Sequence, residues 1–271
     1  MENLMSNVTE HNCFEILCSN LFNLDGILAI ALGGSRATKA QDSKSDYDLY
    51  VYYDTLPKTE DRYYAIKECC EYTEIGNTFF EFEDDCTLIN HIDIDIIYRK
   101  LSDFKKEIES VVFLHQAHNA YTTCMWHNLI NCQILKDTNN LLKDFQASAT
   151  ISYPPELKAA IIKNGLRLLS GILPSYDKQI IKASHRGDFL SVNHRVAAYV
   201  ETYFDVLFAL NEMTHPGEKR MLAHALKAKK QPKNFKSDLE QLISLVGSND
   251  TPKLESVLKA LTTNLQELVD Y

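Results

Sequence analysis

The order of apolar and polar residues changes near residue 100. Before it, four stretches have the short apolar or alternating patterns of strands, and two have the 3.6-residue period of amphipathic helices. The predicted strands are residues 27–32, 47–53, 78–83 and 91–99, and the predicted helices are residues 12–23 and 59–72. The first strand is wholly apolar and stops at Gly33 and Gly34, which predicts a turn.

After residue 100 the strand patterns stop and helical periods follow one another. They predict helices over residues 103–116, 121–132, 139–146, 155–173, 188–212, 217–227, 236–246 and 252–271. The stretch 188–212 is apolar on most faces and predicts the central helix of a bundle, capped by Asp188 or Ser191. The predicted fold class is α+β, with a mixed α/β domain over residues 1–104 and a helical bundle domain over residues 105–271.

Charge is unevenly divided between these two parts. Of the total net charge of −9, residues 1–104 contribute −12 and residues 105–271 contribute +3. An acidic first half argues against general nucleic-acid binding, and it suits metal ions or a cationic substrate.

Cellular location is inferred from further features of the chain. No apolar run is long enough to span a bilayer, and the polar, acidic residues 1–10 do not form a secretory signal. Seven cysteines without CxxC spacing indicate neither a disulfide framework nor a zinc site. We therefore expect a cytoplasmic protein without a membrane anchor.

The stretch ALGGSRATKAQDSKSDYDLYVYY, residues 31–53, combines a small-residue turn with two acids. Alternate residues of a strand share a face, so Asp46 and Asp48 are expected to project together. Two carboxylates that close repel each other unless a cation neutralises them, and Mg²⁺ prefers carboxylate and phosphate oxygens. In the turn, glycine lets backbone N–H groups approach phosphate and Ser35 adds a hydroxyl donor. The stretch therefore predicts chemistry on a phosphate ester with a divalent metal.

A third acid is expected on the later strand. In the sequence HIDIDIIYR, Asp93 and Asp95 lie on one predicted face. Either carboxylate could complete the metal site or act as general base for an attacking hydroxyl. The P-loop pattern GxxxxGK[ST] does not occur in the sequence, which disfavours a kinase of that class.

The GGS turn, the Asp-x-Asp pair and the later acidic strand together resemble the nucleotidyltransferase superfamily that includes DNA polymerase beta. Chain length and the helical second half resemble bacterial aminoglycoside and lincosamide nucleotidyltransferases. This resemblance implies that residues 1–104 form a nucleotidyltransferase domain and residues 105–271 a helical substrate-binding domain. It also implies Mg²⁺ as cofactor, ATP as co-substrate, and transfer of AMP to a hydroxyl of a small molecule such as an aminoglycoside or lincosamide antibiotic.

The resemblance also implies a role for each motif residue. The expected ATP-binding residues are Gly34, Ser35, Arg36, Lys219 and Arg220, the last two as a clamp on the triphosphate from the helical domain. Asp46, Asp48 and Asp95 would bind Mg²⁺, and Asp95 would also take the proton of the acceptor hydroxyl. Asp93 is the second candidate for the third acid.

Other interpretations of these residues are open at this stage. One is a nucleotide-binding regulatory or antitoxin-like protein without small-molecule turnover. Scattered histidines, His91, His127, His194 and His215, are interpreted as structural residues or walls of a substrate pocket. The aromatic side chains of Trp126, Tyr199 and Tyr203 are expected to pack in the bundle.

Overall fold

The computed structural model describes residues 8–37, 45–79 and 81–269. Most of the polar N-terminal segment, Phe80 of the predicted strand 78–83, and the last two residues of the predicted C-terminal helix lie outside these ranges. The chain divides into two compact units. Unit 1 contains the residues up to Ile108 together with Asn128–Ile151, and unit 2 contains Glu109–His127 and the residues from Ser152 onward.

Unit 1 is built on a mixed six-stranded sheet. Its strands are β1 (Ile27–Leu32), β2 (Tyr47–Tyr53), β3 (Cys70–Asn77), β4 (Glu83–Leu88), β5 (Asp93–Lys100) and β6 (Gln133–Asp137). Their order across the sheet is β3-β4-β5-β2-β1-β6. The pairing of β2 with β5 is parallel, and the other neighbouring strands pair in the antiparallel sense.

The described helices belong to both units. In chain order they are α1 (Cys13–Phe22), α2 (Gly34–Ala37), α3 (Thr59–Ile66), α4 (Leu101–Val112), α5 (Cys124–Asn131), α6 (Leu141–Ala149), α7 (Pro155–Leu169), α8 (Tyr176–Ser184), α9 (Phe189–Leu210), α10 (Met221–Ala225), α11 (Phe235–Leu245) and α12 (Thr251–Val269). Within the described residues, no helix is both long and apolar enough to cross a membrane.

Alternation along β2 and β5 gives the sheet two different faces. Leu49 and Val51 of β2 and Ile96 of β5 are fully buried in a core that also includes apolar residues of α1. The opposite face carries Asp48, Tyr50 and Tyr52 on β2, since successive strand residues point to opposite sides. Packing under Tyr52 is supplied by Phe104 of α4, with ring centroids 5.3 Å apart. The acidic end of β2 therefore lies on the face opposite the main core.

A buried ion pair fixes the α3 side of unit 1. Arg62 donates from Nε to Asp84 Oδ2 at 2.9 Å and from Nη2 to Asp84 Oδ1 at 3.1 Å. Backbone groups complete the pair, because Arg62 Nη1 donates to the Pro57 carbonyl and the Gly76 N–H donates to Asp84. Both side chains are almost fully buried, with exposed fractions of 2% and 0%. Asp84 is thus a structural carboxylate that ties β4 to α3.

Unit 2 contains the central helix that the sequence predicts. In α9 every residue from Thr202 to Leu210 is buried. The helix begins after Asp188, whose carboxylate accepts from the Ser191 N–H at 3.0 Å, so of the two predicted caps Asp188 is the one used. Tyr199 and Tyr203 are fully buried, and Trp126 is 2% exposed, which confirms their predicted packing role.

Several predicted elements are corrected by the structure. The predicted helix 59–72 ends at Ile66, and β3 begins at Cys70. In the predicted strand 78–83 only Glu83 is a strand residue among those described; the aromatic run instead connects β3 to β4, and Phe79 is 88% exposed. β3 was not predicted because it is an edge strand rich in exposed polar residues, so its sequence shows no clear alternation of apolar and polar positions.

After residue 100 the structure contains one strand that the sequence pattern did not predict. This strand, β6, pairs with β1 although its sequence, QILKD, has little apolar character. Edge strands are held by backbone hydrogen bonds on one side only, so their side-chain pattern is weak. The structure also adds α8, and it shortens the predicted helix 217–227 to Met221–Ala225.

Candidate active site

The small-residue turn after β1 lies directly against a carboxylate of β2. Gly33 N donates to the Asp48 carbonyl at 2.7 Å, which ties the start of the turn to the strand. Gly34 has a φ of +59°, and a Cβ built on it would lie 1.7 Å from Asp48 Oδ2. A Cβ on Gly33 would meet the Tyr50 ring at 2.4 Å. Both positions therefore favour glycine, and the backbone of the turn packs directly against the Asp48 carboxylate.

The parallel pairing of β2 with β5 aligns two of the predicted acids. Asp48 is opposite Asp95 in the register, and both side chains are half-buried. Residues opposite each other on paired strands share a face, so these carboxylates are neighbours. Asp46 is also half-buried and lies one residue before β2 begins. The structure thus places the turn, Asp48 and Asp95 side by side, with Asp46 next to them in sequence.

The second candidate for the third acid, Asp93, has a different setting. It is the first residue of β5, it is exposed, and its carboxylate accepts a hydrogen bond from Thr87 Oγ1 at 2.8 Å. In the antiparallel register it is opposite Thr87, whereas Asp95 is opposite another acid, Asp85. This geometry supports Asp95 as the carboxylate that works with Asp48.

Acidic residues continue across the sheet beyond the motif. Asp85 is opposite both Asp95 on β5 and Glu74 on β3. Glu83 has its pKa raised, first by burial and then by the charges of Asp85 and Asp95. These acids were not predicted, because the strand predicted over residues 78–83 lies at Glu83–Leu88 in the structure. The available signal is the sequence EDDC, in which Asp84 points to the core and Asp85 to the opposite face.

The donor chemistry of the site fits a hard divalent cation. Like charges directly opposite on paired strands destabilise a sheet, and a bound cation offsets that repulsion. Carboxylate oxygens from Asp48 and Asp95 are of the kind that Mg²⁺ takes, with phosphate oxygens and water completing its shell. Among the described residues, no three or more His, Cys, Asp or Glu side chains are already gathered as a metal-binding group.

Arg36, two residues beyond Gly34, contacts the segment that leads into β2. Its Nε donates to the carbonyls of Ser45 and Asp46, each at 3.0 Å, and its Nη2 also donates to Ser45. The guanidinium carbon lies 3.9 Å from the centre of the Tyr47 ring. These contacts are an unpredicted feature of a residue expected to bind phosphate.

A buried arginine, Arg99, packs against the Tyr50 ring, which lies next to the turn at Gly33. Arg99 forms a bidentate ion pair with Glu81, with N–O distances of 2.8 and 2.6 Å. Its guanidinium lies 4.2 Å from the centre of the Tyr50 ring, the ring that contacts Gly33. Burial raises the pKa of Tyr50, an effect that Arg99 opposes and Asp48 reinforces. Tyr50 is therefore a neutral phenol packed beneath the turn.

Unit 2 holds the two predicted basic residues, Lys219 and Arg220. Both side chains are exposed, and Arg220, with a φ of +59°, immediately precedes α10. The predicted helix start after Gly217 is thus present, four residues later than predicted. Their proposed contact with a triphosphate stays a prediction.

Of the four histidines interpreted from the sequence, His91 and His194 are exposed, His127 is half-buried and His215 is fully buried. His194 is exposed, and His91 is exposed and bonded to Glu71. His215 is fully buried, packs against the Tyr121 ring, and accepts from the Gly217 N–H through Nδ1.

Burial governs the charge state of His127 and His215. It is the largest cause that lowers the pKa of His127 to about 4 and that of His215 to about 3. His127 is hydrogen-bonded through Nδ1 to Thr214 Oγ1 at 2.7 Å. His127 and His215 are therefore neutral at pH 7, and their hydrogen bonds to Thr214 and Gly217 hold the segment before Lys219, as the structural interpretation expects.

A comparison with solved structures finds a nucleotidyltransferase-like protein, an aminoglycoside adenyltransferase and a CCA-adding enzyme among its matches. A nucleotidyltransferase-like protein from Exiguobacterium sibiricum 255-15 matches with a TM-score of 0.43 and 11% identity, over 96% of this chain and 74% of that one. An aminoglycoside 6-adenyltransferase from Bacillus subtilis matches with a TM-score of 0.29 and 9% identity, over 97% and 92%. A Thermotoga maritima CCA-adding enzyme, solved with tRNA, matches with a TM-score of 0.31 and 10% identity, over 94% and 81%.

No protein-family model and no curated protein matches the chain. At these TM-scores and identities no residue role or substrate is transferred from the matched proteins.

Proposed function

We propose that this protein is a Mg²⁺-dependent nucleotidyltransferase that transfers AMP from ATP to a hydroxyl of a small-molecule acceptor. The observation that carries the proposal is the contact between the Gly34 backbone and the Asp48 carboxylate, with Asp95 opposite Asp48 in the parallel register. A glycine turn beside two aligned carboxylates suits a metal-bound triphosphate.

In the proposed mechanism Asp95 has two tasks, and each of the other residues has one. The backbone at Gly34 and the Ser35 hydroxyl would hold the β- and γ-phosphates, and Asp46, Asp48 and Asp95 would supply oxygen ligands to Mg²⁺. When bound there, Mg²⁺ would supply charge neutralisation of the phosphates and a more acidic acceptor hydroxyl. Asp95 accepts the proton of that hydroxyl as its oxygen attacks the α-phosphorus, and the bond to pyrophosphate breaks. Lys219 and Arg220 are proposed as further ligands of the triphosphate.

The proposed acceptor class is a cationic small molecule such as an aminoglycoside, with a lincosamide as the related candidate. Support comes from the acidic residues that continue from Asp95 to Asp85 and Glu74 on the same face of the sheet. A surface of one sign attracts ligands of the opposite sign. This part of the proposal depends on electrostatics, whereas the nucleotide part depends on the turn and the aligned acids.

The test is a calorimetric titration with ATP, with and without Mg²⁺. Asp48→Asn and Asp95→Asn remove one ligand charge each with almost no change of shape, and Asp93→Asn is the matched control on the same strand. We expect Mg²⁺-dependent ATP binding in the wild type and in Asp93→Asn, and a loss of at least about tenfold in the other two variants, about 1.4 kcal/mol.

Two outcomes would change the conclusion. If the wild type binds neither ATP nor another nucleoside triphosphate, the enzyme proposal is wrong. If it binds ATP with Mg²⁺ but releases no pyrophosphate with any cationic or lincosamide acceptor, the nucleotide-binding regulatory alternative is the better description. Loss of binding in Asp93→Asn together with retention in Asp95→Asn would exchange their roles.

A further inference from the structure

The guanidinium of Arg36 connects the two halves of the proposed site. Arg36 belongs to α2, the short helical turn that begins at Gly34, and its hydrogen bonds end on the carbonyls of Ser45 and Asp46. One side chain thus links the turn expected to hold phosphate to the segment expected to hold metal.

A stack of rings holds the guanidinium in that orientation. The flat face of the Arg36 guanidinium covers the Tyr47 ring at 3.9 Å. The Tyr47 ring is itself stacked on Phe14 of α1, with centroids 4.2 Å apart and an interplanar angle of 16°. Burial raises the pKa of Tyr47, and the charge of Arg36 acts in the opposite direction, as expected for a cation over a phenol ring. The stack anchors Arg36 to the body of unit 1.

One edge of the Arg36 guanidinium, the edge formed by Nε and Nη2, already donates hydrogen bonds within the protein. An arginine that binds phosphate in a bidentate way presents two parallel N–H donors from one edge. In Arg36 the edge formed by Nε and Nη2 donates to two backbone carbonyls. This arrangement argues for a structural use of that edge, which differs from the triphosphate contact that the sequence motif implies.

We infer that Arg36 is a positioning residue, which holds the Ser45–Asp46 backbone so that the Asp46 carboxylate can serve as a metal ligand. This inference rests on the proposed function, because it concerns the same metal site. It assigns Arg36 an action through Asp46 and no direct bond to ATP. The conservative change to lysine would keep the positive charge and one donor nitrogen, but it would lose the second donor nitrogen and most of the contact with the Tyr47 ring.

The direction in which metal affinity changes when Arg36 is removed distinguishes a positioning role of Arg36 from a phosphate-binding role. A cation beside a metal site repels the metal, so electrostatics alone predicts that removal of Arg36 strengthens metal binding. Positioning predicts the reverse, because the Asp46 backbone loses its support. We therefore choose Mn²⁺ as the probe, titrated without nucleotide and followed by electron paramagnetic resonance of the unbound ion.

The variants are Arg36→Met, Arg36→Lys and the control Arg167→Met, which removes an exposed arginine of α7 in unit 2. We expect Arg36→Met to bind Mn²⁺ at least about fivefold more weakly, about 1 kcal/mol. Arg36→Lys should recover part of the loss, and Arg167→Met should match the wild type. Unchanged or tighter Mn²⁺ binding by Arg36→Met, together with weaker ATP binding, would overturn the inference in favour of a phosphate contact.

A second measurement keeps the inference testable if the wild type binds no Mn²⁺, an outcome that would count against the proposed function. Amide hydrogen exchange of residues 45–49 is compared in metal-free wild type, Arg36→Met and Arg167→Met. Positioning predicts faster exchange in Arg36→Met alone, with the other peptides of unit 1 unchanged, which also shows that the variant is folded. Equal exchange in all three proteins would refute the positioning role whatever the metal result.

Discussion

The close approach of Gly34 to Asp48 predicts what a single added methyl group at Gly34 does to metal binding and stability. In Gly34→Ala the new Cβ would start 1.7 Å from Asp48 Oδ2, whereas ordinary contact begins at 3.4 Å. The Asp48 carboxylate is the end of a short, rotatable side chain, so we expect it to turn away while the strand stays in place. The variant should therefore lose metal binding in addition to the stability that the strained backbone costs.

The size of each effect follows from the geometry. Gly34 has a φ of +59°, and an alanine in this left-handed region costs about 1–2 kcal/mol. For a chain of this size, that cost lowers the melting temperature by about 2–4 °C per kcal/mol. Displacement of the Asp48 carboxylate by more than an ångström should weaken Mn²⁺ binding at least about tenfold, about 1.4 kcal/mol.

Gly187 provides the matched control for backbone strain. It has a φ of +68°, and no atom of the described residues lies within 4 Å of a Cβ built there. Gly187→Ala should show the same thermal destabilisation as Gly34→Ala, measured by circular dichroism, and should bind Mn²⁺ like the wild type. If Gly34→Ala binds Mn²⁺ as tightly as Gly187→Ala does, the reasoning that places Asp48 in a metal site beside the turn is refuted.

Two further predictions concern buried charges. Arg62→Met leaves the Asp84 carboxylate buried without its cation, so it should lower the free energy of unfolding, measured in urea, by about 3–5 kcal/mol. The control Lys106→Met removes an exposed ion pair and should cost less than about 1 kcal/mol. Similar costs for the two variants would contradict the reasoning from burial. Burial raises the pKa of Asp205 to about 6, so the folded state favours the protonated carboxyl, and the resulting stability is present below pH 3.8 and lost as pH rises through 6. Urea unfolding of the wild type relative to Asp205→Asn should show this loss between pH 4 and 7, and parallel curves would refute it.

The sequence predicted the central strands better than the edges of the sheet. The bounds of β1 and β2, residues 27–32 and 47–53, are those of the predicted strands, because wholly buried or half-buried central strands have strong apolar patterns. β3 and β6 lie at the two edges, where backbone pairing on one side is enough, and neither was predicted. Edge strands carry polar side chains on exposed surfaces, so their patterns resemble loops or helix ends.

The candidate site shows the same division between local and long-range information. Gly34, Asp46 and Asp48 were predicted from one continuous stretch. The register that puts Asp95 opposite Asp48, and Asp85 opposite Asp95, depends on which strands pair and in which direction. Alternation along one strand cannot specify its partner, because every residue of one face is an equivalent candidate. The role of Arg36 toward Ser45 and Asp46 could not be predicted either, since it depends on how the turn folds back.

The position of β6 limits how the protein can be dissected. This strand covers the outer edge of β1, yet it comes after residues 109–127, which belong to the other unit. A fragment that ends at residue 104 or 108 therefore keeps the glycine turn and the aligned acids, but it exposes the edge of ILAIAL, a strand in which five of six residues are buried. Open edges of apolar strands recruit strands from other molecules, so this fragment is expected to aggregate. The part of the chain that carries the proposed site is thus not a module that can be released by shortening the chain from its C-terminal end.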